Sequence, residues 1–143
     1  MFLYSLRRYI MECIIKETVL IIPEGTKKIG FTDICDYIHN NLIEEILLPS
    51  TLETIDANTF FDFTELKKIN IPKSVIEIGA QAFWGLDQMG ELIIPNTVKR
   101  VEKHAFCNMP QCKVVIVGEK QEIPKIWDAE FAANVKEICF VSK

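Results

Sequence analysis

Leu66-Lys67-Lys68-Ile69-Asn70-Ile71-Pro72-Lys73-Ser74-Val75-Ile76-Glu77-Ile78-Gly79-Ala80-Gln81-Ala82-Phe83 is the stretch whose spacing decides the fold. Twenty-three residues further on, Met89, Leu92, Ile94, Pro95, Val98, Val101, Ala105 and Phe106 occupy the same slots. Twenty-three residues earlier, Ile43, Ile46, Leu48, Pro49, Leu52, Ile55, Thr59 and Phe60 do so. Prolines at 49, 72 and 95, each framed by apolar positions in step, are a repeat and not an accident of composition.

The chemistry of one unit follows from its residues. Ile69 and Ile71 alternate with Lys68 and Asn70, the period of a half-buried strand. Pro72 has no N–H to extend a ladder and ends that strand. Val75 and Ile78 turn inward from an irregular or short extended stretch, and Gly79 permits a tight bend. Ala82 and Phe83 plug the core from the opposite wall. No unit of about 23 residues buries its apolar face alone, so the units must stack.

Weaker copies flank the three clear ones. Leu20, Ile22, Pro23, Ile29, Gly30 and Ile34 match on the N-terminal side, with about three extra residues before Ile43. On the C-terminal side Val115, Val117, Gly118, Ile126, Ala129 and Phe131 match after a short insertion, and Val135 to Phe140 forms a closing strand. The expected organisation is one domain over residues 1–143, with a cap at 1–16 and repeats near 17–42, 43–65, 66–88, 89–111 and 112–143. Leu3, Leu6, Ile10 and Ile14 suit a capping helix, and a pair of strands suits the same stretch equally. Some cap is required, because an open coil end exposes core and strand edge.

The stretch from Leu66 to Phe83 resembles the BspA-type leucine-rich repeats, Leu-x-x-Ile-x-Ile-Pro-x-Ser-Val-x-x-Ile-Gly-x-x-Ala-Phe-x-x-Cys. Leu66, Ile69, Ile71, Pro72, Ser74, Val75, Ile78, Gly79, Ala82 and Phe83 carry the match, and the resemblance extends over roughly Thr18 to Phe140. The sequence departs at the pattern's cysteine, replaced by Tyr37, Phe63, Leu86 and Met109, and at Gly118 where proline is expected. The resemblance implies a right-handed leucine-rich-repeat solenoid, with parallel β-strands on one face and turns and short helical segments opposite. It also implies a recognition module, of a kind often displayed on microbial surfaces to bind host or bacterial proteins, with no shared catalytic residues.

Composition narrows the function classes. The 143 residues carry 16 Lys+Arg against 20 Asp+Glu, a net charge of -4, which disfavours a nucleic-acid binder needing clustered basic charge. With 49% hydrophobic residues, disorder is disfavoured, yet the longest apolar run falls well short of the roughly 18 residues of a membrane span. Arg7, Arg8 and Glu12 interrupt the apolar N-terminus, unlike a secretory signal. A cytoplasmic protein is expected, a fragment of a larger surface protein being the alternative. Five cysteines, Cys13, Cys35, Cys107, Cys112 and Cys139, are an odd count at irregular spacing and fit thiols better than a disulfide framework.

Stacked strands place their outward slots in columns. One column runs Ile21, Leu47, Asn70, Ile93, Ile116, Cys139, and its neighbour Val19, Glu45, Lys68, Glu91, Val114, Glu137. The first is apolar at most positions, which suits docking of a protein or pairing of two copies. The alternative is cover by residues 1–16, or plain tolerance of exposed aliphatics. A third column, Cys35, Phe61, Trp84, Cys107, Ala132, either offers aromatic anchors or folds between coils, and burial is favoured for rings this large. Lys99, Arg100, Lys103 and His104 form a small basic spot that a solvated face explains.

Catalytic and metal chemistry find little footing. His39 and His104 lie in no nucleophile, metalloprotease or phosphate-loop motif. His104, Cys107 and Cys112 lack the fourth ligand and the tight spacing of a zinc site, and no third group orients a Cys107–His104 pair. The expectation is therefore a non-catalytic protein-interaction module without cofactor, metal or membrane span. It would dock its partner with Ile21, Leu47, Asn70, Ile93 and Ile116, while Glu45, Lys68, Glu91 and Glu137 set preference by charge. The rival expectation is a self-associating scaffold, a homodimer through the apolar stripe or the C-terminal edge.

Overall fold

A computed structural model describes residues 13–38, 42–120 and 127–142. Among these the chain winds into a β-solenoid of parallel strands with one helix. The first wall holds β1 (Ile14–Lys16) and β2 (Val19–Ile21). A turn of coil later, β3 (Lys28–Ile29) starts the second wall and leads into helix α1 (Phe31–Ile38). The pattern then repeats as β4 (Glu45–Leu47) and β5 (Thr54–Ile55), β6 (Lys68–Ile69) and β7 (Glu77–Ile78), β8 (Glu91–Ile94) and β9 (Arg100–Val101). Two long strands, β10 (Phe106–Val117) and β11 (Ala132–Val141), finish it.

The register is that of stacked rungs. Leu20 pairs with Ile46 and Ile46 with Ile69 on the first wall, which continues past β6 onto β8, β10 and β11. Ile29, Ile55, Ile78 and Val101 pair in the same way along β3-β5-β7-β9. Between the walls, the N–H groups of Leu52, Val75 and Val98 donate to the carbonyls of Pro49, Pro72 and Pro95 at 3.0–3.2 Å. Each proline thus ends one strand and accepts the bond that turns the chain into the next. The second wall is a four-stranded parallel sheet, where the sequence suggested only an irregular or short extended stretch.

The third wall is made of turns whose backbone bonds run from rung to rung, as Phe60 N–H to the Ala82 carbonyl and Phe83 N–H to that of Ala105. Its corners use the left-handed region at Asn58, Gln81 and His104, and again at Asp62, Gly85 and Asn108. These two columns share the repeat spacing, although only Gly, Asn and Asp adopt such φ values readily. The core is one apolar body, with Phe60, Phe83 and Phe106 stacked through its centre. In the first coil α1 takes the place of the turns, and Asp33 Oδ2 accepts the Gly30 N–H at 2.8 Å across its first turn.

The opposite wall holds turns and, among the described residues, a single helix, in keeping with the expected turns and short helical segments. At the N-terminal end Ile14 lies in β1, antiparallel to β2, so of the two open readings of the cap this part follows the strand one; Leu3, Leu6 and Ile10 lie outside the described residues, as do His39 and Ile126. The fifth coil needs correction. In the fifth coil the register is one residue shorter than expected. Leu66 precedes Ile69 by three positions and Met89 precedes Leu92 by three, but Cys112 precedes Val114 by two, and Val114 pairs with Leu92. Hence Val114 and Ile116, not Val115 and Val117, take the core slots of Leu92 and Ile94, although Val115 is buried as well, and Val117 rather than Gly118 follows in the proline slot. Ala132, not Phe131, likewise pairs with Phe106.

Candidate interaction surface

In each strand of the first wall alternate residues are drawn into the core, and those between them face outward. The stripe so formed starts at Ile14, which pairs with half-buried Ile21. It passes over Leu47, 41% exposed, then Asn70, and reaches Ile93, 49% exposed. The next position in register is Val115, which is buried, and the last is half-buried Cys139, so the exposed part of the stripe ends at Ile93. Ile116 is not on it. With 4% exposure Ile116 points into the core, because the shortened fifth coil flips the alternation of the strand.

Beside the stripe stands a charged column of Val19, Glu45, Lys68, Glu91, Lys113 and Glu137. Lys113 holds the place expected for Val114, for the same reason that Ile116 is buried. Lys68 Nζ meets Glu45 Oε1 at 2.7 Å, and one residue along Lys67 meets Glu44 at 2.7 Å. Such exposed pairs add little stability, and their use is to set the pattern a partner meets. Glu91 and Glu137 flank Lys113 on either side. The structure therefore brings Ile21, Leu47, Asn70, Ile93, Glu45, Lys68, Glu91 and Glu137 onto one wall and leaves Ile116 off it. Ile14 and half-buried Lys113 are additional members, and the shortened Cys112–Val114 interval was the sequence signal for Lys113.

The aromatic column lies on the turn wall. Phe61 and Trp84 are stacked, with ring centroids 6.5 Å apart and planes 12° from parallel, and the His104 ring meets Trp84 edge-on at 5.8 Å. Both rings are half-buried, so they pack rung on rung as their size demands. His104 Nε2 lies 3.2 Å from Glu130 Oε2, which also meets Lys103 at 3.0 Å. On the second wall a shallow cavity of about 410 Å³ is lined by Thr54, Asp56, Glu77, Gly79, Arg100 and Glu102. Its charges are largely matched within the wall, Lys28 with Asp56 at 3.0 Å and Arg100 with Glu102 at 2.8 Å.

The thiols behave as core residues or as hydrogen-bond donors. Burial, with the Glu91 charge adding to it, pushes Cys112 up to about 12, and burial pushes Cys107 up as well. Cys139 donates to Glu137 Oε1 at 3.0 Å, and that bond raises its pKa. Because Cys112 titrates later when folded than its ordinary value of 9.0, the unfolded chain binds fewer protons between these values. The stability held by the neutral thiol is complete below pH 9 and is lost as pH rises toward 12. At pH 8 an alkylating reagent is expected to leave Cys112 unmodified in the native protein and to label it after denaturation. Mass spectrometry that finds Cys112 labelled in the native state would refute this burial.

Among the described residues no three or more His, Cys, Asp or Glu side chains are grouped to hold a metal ion, and no helix is long and apolar enough to cross a membrane. The family model for the BspA type leucine-rich repeat region matches residues 32–140 in six copies. The chain belongs to that family. No curated protein matches the sequence significantly. Leucine-rich repeats generally mediate protein–protein interaction, and this repeat family is typically non-catalytic.

Proposed function

We propose that this chain is a non-catalytic docking module that holds a protein partner on its first wall. The anchors are Leu47 and Ile93, framed by Ile14, Ile21, Asn70 and the charged column. The observation that carries this reading is the exposure of two large aliphatic side chains, Leu47 and Ile93, on a rigid sheet where solvated residues would serve as well. A wall whose backbone is fixed by rung-to-rung bonds binds with little ordering cost. Glu45, Lys68, Glu91, Lys113 and Glu137 alternate in sign along the column and favour a partner carrying the matching alternation.

The test is an affinity comparison on a partner captured by the wild-type protein and then purified. Leu47→Glu and Ile93→Glu are each expected to weaken its binding by on the order of tenfold or more, as for a buried interface anchor. Both side chains are surface residues, so the unfolding free energies of the variants from urea titration should stay within about 0.5 kcal/mol of wild type. Binding that survives both changes and is lost in Trp84→Ala would move the site to the turn wall.

A further inference from the structure

We draw no further inference here: the strongest candidate, the shallow cavity on the second wall between the first turn of α1 and Arg100, is walled by carboxylates of which Asp56 and Glu102 already pair with Lys28 and Arg100, and nothing in the structure shows what fills it.

Discussion

Gly79→Ala is expected to destabilise the protein by about 3 kcal/mol or more, at the upper end of the overpacking range. A Cβ at this position would lie 2.4 Å from the Ala57 nitrogen, 2.7 Å from the Asp56 carbonyl carbon and 2.9 Å from the Ala57 Cα. All three are backbone atoms of the preceding rung, so no rotamer change relieves the contact. Relief requires the rungs to separate, and the Gly79 N–H bond to the Ile55 carbonyl, 2.8 Å, holds them together. Gly90→Ala is the matched control. No atom lies within 4 Å of its Cβ, and the change should be neutral or stabilising by up to about 1 kcal/mol. Equilibrium urea unfolding of both variants decides the matter, and equal effects would show that rung spacing at Gly79 is not tight.

Phe83→Ala is expected to cost about 3–5 kcal/mol, the usual range for removing a buried ring. The side chain is fully buried and stands between two others, with centroids 5.1 Å from Phe60 and 5.3 Å from Phe106. Its loss therefore opens the middle of the stack and leaves two rings without a partner on one side. Total stabilities of single domains are about 5–15 kcal/mol, so the variant should unfold at far lower urea concentration and be partly unfolded near physiological temperature. Phe131→Ala, at a half-buried ring that meets Phe106 edge-on, should cost distinctly less. A Phe83→Ala loss below about 1 kcal/mol would mean that the aliphatic columns hold the rungs without the aromatic stack.

Most of the architecture was legible from residue spacing. The prolines at 49, 72 and 95 and the aliphatic slots around them place Ile46 beside Ile69 and Ile55 beside Ile78, as the rungs show. Much of the candidate surface followed from the same register, since Leu47, Asn70 and Ile93 alternate with core residues in well-matched coils. The fifth coil broke the inference. One residue fewer between Cys112 and Val114 reverses the phase of that strand, turning Ile116 into the core and setting half-buried Lys113 beside Glu91 in place of Val114. The left-handed corners at Gln81 and His104 were likewise invisible, because neither residue type favours that conformation.

What the sequence determined by itself was the repeat, and with it the solenoid, because a 23-residue unit with aliphatic teeth has no way to bury them except against its own copies. What only the tertiary structure decided was phase and contact: which residues of the fifth rung take the core slots, and how closely Gly79 approaches Ala57. These depend on single-residue register and on distances of a few ångströms between segments far apart in the chain. Hydrophobic periodicity is tolerant of both, since a slipped slot filled by another valine looks the same in sequence and opposite in space.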